Sequence, residues 1–130
     1  MQLDYIVDPE LVFPPEYPYQ TGMTNMLVRN FQSLAEIVIP AYDIKPEDLV
    51  IDIGSNDGTL LKPFKEKGSR VLGIEPTDVS KLANERGIET IQEYINQDVA
   101  EKVRGKYGSA KLVTAANVFA HIPNPSEVVE

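Results

Sequence analysis

The stretch Val50-Ile51-Asp52-Ile53-Gly54-Ser55-Asn56-Asp57-Gly58-Thr59-Leu60-Leu61 constrains the fold more than any other, because a short apolar run breaks into a turn too glycine-rich and polar to be core. It reads as a strand, a tight loop and the start of a helix. Backbone N–H groups at a helix start have no intrahelical partner, and the helix dipole adds partial positive charge there. Such a turn predicts a receptor for a polar or anionic ligand group.

The residues on either side fit a layered fold. Residues 1–22 read as an extended arm: Pro9, Pro14, Pro15 and Pro18 lack the donors that a regular helix or central strand needs, and Tyr5, Tyr17 and Tyr19 imply that the arm packs on something. From residue 24 onward, Leu27, Phe31, Leu34, Val38 and Ala41 recur at spacings of four, three, four and three, which places one apolar stripe on a helix. Thr21 or Thr24 is placed to cap that helix and Pro40 to end it. Apolar strands then alternate with amphipathic helices: strands over 49–53, 70–75, 89–91 and 111–116, helices over 59–67, 78–86 and 96–107, and a further helix from Ser126. Thr77 or Asp78 is expected to cap the helix over 78–86, and Gly68, Gly87 and Gly108 to stop the three in turn. Pro63, beyond the first turn of the helix over 59–67, is expected to kink or shorten it. The order predicts an α/β fold: a partial Rossmann-like parallel sheet of about four strands with flanking helices, preceded by the arm and a helix. Ligands of such sheets sit at the carboxyl ends of the strands, near the point where strand order reverses.

Composition narrows what the ligand and partners can be. A chain of 130 residues with 42% hydrophobic content suits one domain with a real core. Twelve Lys and Arg against twenty Asp and Glu give a net charge of −8, a field that repels nucleic acid and anionic membrane surfaces. The absence of cysteine excludes a disulfide framework, a thiolate zinc site and a cysteine nucleophile. There is no basic segment followed by an apolar run at the N-terminus and no run of about 18 apolar residues, so a soluble cytoplasmic protein is expected.

Two common nucleotide loops are missing. The turn reads Asp52-x-Gly54-x-x-x-Gly58, which is neither the G-x-G-x-x-G of dinucleotide folds nor a phosphate loop ending in Gly-Lys-Ser/Thr. What remains is Asp52 before a glycine, and Glu75 at the end of the next strand, where a carboxylate can accept ribose hydroxyls. Asp52, Asp57 and Glu75 together would attract a cationic sulfonium.

This arrangement resembles the class I S-adenosylmethionine-dependent methyltransferases. Residues 17–24 (Tyr17-Pro18-Tyr19-Gln20-Thr21-Gly22-Met23-Thr24), the loop itself, Gly73-Ile74-Glu75-Pro76 and Asn117-Val118-Phe119-Ala120-His121-Ile122, in this order, resemble the sugar C-methyltransferases that act on nucleotide-linked keto-deoxysugars. The resemblance implies S-adenosylmethionine as cofactor, with Gly54, Ser55, Asn56 and Gly58 against its methionine part, Glu75 on the ribose and residues 92–94 beside the adenine. Asn117 and His121 would face the transferring methyl and the sugar, with Tyr17 and Tyr19 closing over them. The implied chemistry is proton abstraction beside a ketone, then attack by carbon on the methyl, with His121 as base or donor and the tyrosines as donors. Bland alternatives stand beside these roles, since His121 also suits a capping position before Pro123 and the tyrosines suit anchors of the arm.

The resemblance also implies an N-terminal zinc-binding region, for which this chain has no cysteines, and further strands beyond Glu130. Residues 23–130 therefore read as the N-terminal half of a methyltransferase domain, a fragment. The fourth strand would then be an open apolar edge, which predicts a homodimer. A non-catalytic Rossmann-like binding or assembly module is the alternative from another class, and an NAD-dependent enzyme is disfavoured by the missing glycine.

Overall fold

A computed structural model describes residues 7–122. Four strands, β1 (Leu49–Ile53), β2 (Arg70–Ile74), β3 (Thr90–Ile91) and β4 (Leu112–Thr114), form one parallel sheet in the order β3-β2-β1-β4. The helices are α1 (Pro9–Val12), α2 (Asn25–Ala41), α3 (Leu61–Glu66), α4 (Val79–Glu85) and α5 (Gln97–Tyr107).

All five residues of β1 are buried, as expected of a central parallel strand covered on both faces. Side chains alternate across a strand, so β1 supplies two cores. Val50 packs with Ala35, Leu61, Phe64 and Ala83 under α2, α3 and α4. Leu49 and Ile51 point the other way, to Leu72, Ile74, Val99 and Val103 under α5. Strand order runs outward from β1 through β2 to β3 and then returns across β1 to β4. The reversal, and hence the crevice, falls between the carboxyl ends of β1 and β4.

Several local expectations are corrected. The arm is not wholly extended: Pro9 opens the single turn α1, where a missing N–H costs nothing, and the Asp8 carboxylate accepts from Glu10 N–H at 3.0 Å. A second turn, of 3-10 type, covers Thr21–Met23. Thr24 holds the N-cap position of α2 without a side-chain cap bond, and Pro40 lies inside the last turn of α2 instead of ending it. The helix over 59–67 starts later, at Leu61, which puts Pro63 in its first turn, where a proline fits. Neither Thr77 nor Asp78 caps α4 through its side chain: the Thr77 hydroxyl donates to Glu75, and the Asp78 carboxylate holds Lys81 and Gln92. The expected helix from Ser126 lies outside the described residues.

Candidate functional site

The crevice opens into a cavity of about 650 Å³, within the usual size of small-molecule sites. Asp52 lines it, and Thr114, its register partner on β4, donates its hydroxyl to Asp52 Oδ1 at 2.7 Å. Asp52 is only 2% exposed. Burial pushes its carboxyl up to about 7, Glu75 adds to the rise, and the Thr114 hydrogen bond opposes it.

Past β1 the chain turns at Gly54, with φ of +69°, where an added Cβ would sit 2.2 Å from Val118 Cγ2. No side chain fits between the loop after β1 and the segment after β4. The N–H groups of Gly54 and Ser55 donate to Ile74 O at 2.8 and 3.2 Å, and that of Asn56 donates to Glu75 Oε2 at 2.9 Å. The loop thus spends these three donors on the end of β2, and α3 begins five residues beyond Asn56. Ser55 Oγ is the exception: it is buried and has no hydrogen-bond partner among the described residues.

Glu75 is buried at the end of β2. Its Oε1 accepts from Thr77 N–H at 2.9 Å and from the Thr77 hydroxyl at 2.7 Å, leaving a free acceptor position only at Oε2. After β3, Glu93 and Tyr94 line the cavity, whereas Gln92 turns to Pro76 O and Asp78. Burial, then the carboxylates of Glu10, Asp8 and Glu75, raise the Tyr94 hydroxyl above its ordinary pKa. That hydroxyl donates to Phe13 O at 2.8 Å.

Of the residues singled out in the sequence, Asp52, Gly54, Ser55, Asn56, Glu75, Asn117, His121, Tyr17 and Tyr19 all line the cavity. Gly58 does not. Its φ of +77° and the 2.9 Å that would separate an added Cβ from Ile88 Cβ make it a packing glycine, set by the loop's contact with the segment before β3. Asp57 likewise faces away, accepting from Gly22 N–H (2.9 Å), the Thr59 hydroxyl (2.6 Å) and Arg86 Nη1 (2.8 Å). Burial alone would raise its pKa, but these bonds outweigh it and hold the carboxyl below the usual range. Asp57 is thus already neutralised and does not serve a cation in the cavity.

Sequence reasoning missed Phe13, Asp8 and Glu10. Phe13 lies edge-on to Tyr17 (ring centroids 5.4 Å apart) and to His121 (5.1 Å), so it spans the cavity mouth. An aromatic inside a proline-rich arm was the available signal. With Asp8 and Glu10, the lining holds five carboxylates, the others being Asp52, Glu75 and Glu93, and no lysine or arginine among the described residues.

This fold, with its crevice at the strand reversal, defines a class of protein. The chain is similar to magnesium protoporphyrin IX methyltransferase (ChlM) from Synechocystis PCC 6803, solved with bound SAM: TM-score 0.60 and 17% identity over 96% of this chain and 69% of that one. It is also similar to the plantazolicin methyltransferase BpumL in complex with SAH, with TM-score 0.57 and 15% identity over 76% of this chain and 38% of that one. At these identities the likeness is one of fold.

Sequence comparison then gives the family. A family model described as a methyltransferase domain matches residues 22–130, and the chain belongs to that family. It is 32% identical to C-methyltransferase NovU of Streptomyces niveus over 130 residues, covering 99% of this chain and 31% of NovU. It is 28% identical to ribosomal RNA small subunit methyltransferase A of Alkaliphilus metalliredigens, over 95% of this chain and 46% of that protein. Against ubiquinone biosynthesis O-methyltransferase of Escherichia coli, identity is 34% over 62% of this chain and 35% of that protein. The chain spans less than half the length of each of these relatives.

Proposed function

We propose that this chain is the S-adenosylmethionine-binding portion of a methyltransferase that methylates a sugar carbon beside a ketone. The observation that carries the reading is the cavity at the β1/β4 reversal, ringed by five carboxylates and free of lysine and arginine among the described residues. That field suits a cationic sulfonium and disfavours a phosphate cofactor.

The residues fit the cofactor on other counts. Glu75 Oε2 keeps room for one ribose hydroxyl. Asp52, with a carboxyl near pKa 7, ionises more readily as positive charge enters the cavity. S-adenosylmethionine, when bound, supplies the activated methyl group. Around it, Glu93 and Tyr94 border the base, and Asn117 and His121 face the acceptor. His121 takes the proton from the carbon beside the ketone, and the hydroxyls of Tyr17 and Tyr19 donate to the developing enolate oxygen. The phosphates of a nucleotide-linked sugar would be repelled by this lining, so we place them outside the cavity.

Similarity to NovU over nearly the whole chain supports transfer to carbon. The test is a melting curve with added ligand, because a ligand of the folded state raises the melting temperature. S-adenosylhomocysteine at saturating concentration is expected to raise it by several degrees and NADH to leave it unchanged. An unchanged curve with S-adenosylhomocysteine contradicts the reading.

A second reading, an assembly module, is favoured by one observation. Among the described residues β4 is an edge strand and its Val113 is 55% exposed, and an unpaired apolar edge is a ready template for association. A homodimer joined through β4 is the form this would take.

A further inference from the structure

The arm crosses the cavity mouth and is pinned at four places, every pin lying on or beside a loop that follows a strand. Tyr94, after β3, donates its hydroxyl to Phe13 O, and the Asp78 N–H, after β2, donates to Pro15 O at 2.8 Å. Asn56 and Asp57, after β1, hold Tyr19, Thr21 and Gly22. Between these pins Phe13, Tyr17 and Tyr19 line the cavity.

The bonds of Asn56 differ in kind from the others. Its amide Nδ2 donates to Tyr19 O at 2.9 Å, while Oδ1 accepts from Thr21 N–H at 2.8 Å. One carboxamide thus satisfies a carbonyl and an N–H two residues apart, the pairing that one residue of a neighbouring strand would make. Only a side chain with a donor and an acceptor can do this; aspartate would set a carboxylate oxygen against the Tyr19 carbonyl. The backbone of Asn56 is left-handed, with φ of +51°, a conformation that glycine and asparagine tolerate and most residues resist. The same residue's N–H donates to Glu75 Oε2 at 2.9 Å.

We infer that Asn56 is a positioning residue that latches the arm over the cavity and ties its seating to the orientation of Glu75. The inference rests on the proposed function, in which Glu75 holds the ribose. Asn56 acts through Tyr19, Thr21 and Glu75 and need not itself touch the ligand. When the arm lifts, both amide bonds break, and the peptide that steadies Glu75 loses its anchor. A ligand held by Glu75 and a seated arm therefore stabilise one another, as two partners of one two-state element must.

The test uses the full chain and two variants. Asn56→Gly removes both amide bonds and keeps the left-handed backbone free of strain. Thr21→Pro removes one donor at the first position of a turn, after a residue already extended, where proline fits. Hydrogen exchange is followed without ligand, and S-adenosylhomocysteine affinity is measured by calorimetry well below the melting temperature. In Asn56→Gly, the Thr21 and Gly22 amides are expected to exchange at least about tenfold faster while Gly54 in the loop and Leu72 in β2 keep their protection. Affinity is expected to fall about tenfold. Thr21→Pro should loosen Gly22 and lower affinity in the same direction, and the double variant should be little worse than Asn56→Gly, since the bond that Thr21→Pro removes is one of the two that Asn56→Gly already removes. Wild-type exchange at Gly22 in both variants, or wild-type affinity in Asn56→Gly, overturns the latch. Should the unmodified chain bind no S-adenosylhomocysteine, the proposed function fails, and the ligand-free exchange result alone decides whether Asn56 holds the arm.

Discussion

Asp52, on β1, and Asp57, in the loop that follows it, stand five residues apart and titrate in opposite directions. Asp52 has a folded pKa of about 7, far above its ordinary value, so the native state keeps a proton that the unfolded chain releases. Its effect on stability is absent below about pH 4, and grows as a penalty while the pH rises towards 7. Asp52→Asn keeps the acceptor for Thr114 and removes that penalty. The variant is expected to lie closest to the wild type in melting temperature at about pH 4 and to exceed it by a margin that widens up to about pH 7. A gap that narrows with pH would refute the assignment. Asp57 has the reverse sign, because its folded pKa is depressed. Its contribution is present above about pH 4 and is lost as the pH falls through the folded value. Asp57→Asn is expected to cost about 2 kcal/mol in urea denaturation at neutral pH. Most of that loss comes from the Gly22 and Thr59 bonds, since Arg86 is half exposed and screened by water. Sequence spacing sets both acids beside one turn, but the way Asp57 faces is set by Gly22 and Arg86, residues distant in the chain.

At the scale of elements, the alternation of apolar strands with helices made the sheet legible, and the corrections cluster where local signals conflict. Proline in residues 1–22 argues against a helix there, yet Pro9 stands in a first turn, where no intrahelical bond needs its N–H. Pro63 raised the same difficulty and was resolved by a later helix start. The edges of β4 contracted from 111–116 to Leu112–Thr114, because pairing with β1 extends no further than Asp52. Glycines separate by the same logic of surroundings. Gly58→Ala forces a Cβ to 2.9 Å from Ile88 at positive φ and is expected to destabilise by at least about 2 kcal/mol. Gly105, inside α5 with nothing within 4 Å, makes the contrast: Gly105→Ala is expected to stabilise by about 0.5 to 1 kcal/mol. Thermal or urea melts of the pair would refute this account if both changes had the same sign.

On the scale of the whole molecule, charge and topology converge on one place. The net charge of −8 is not spread evenly: five of the carboxylates line the crevice that the strand order predicts. That concentration could not be read from composition, because Asp8 and Glu10 reach the cavity only through the fold of the arm. Among the described residues no helix is long and apolar enough to cross a membrane. The edge at β4 makes a separate prediction: if Val113 mediates a homodimer, Val113→Lys shifts the sedimentation profile from dimer to monomer, whereas a wild type that is monomeric at high concentration removes the assembly reading.

The central claim is that the acid-lined crevice, with Glu75 at its floor, receives S-adenosylmethionine. Calorimetric titration of the wild type and of Glu75→Gln with S-adenosylhomocysteine tests it most directly. The account predicts saturable one-to-one binding by the wild type and affinity at least about tenfold weaker in the variant. Absence of heat with the wild type, or equal affinity in the two proteins, would contradict it.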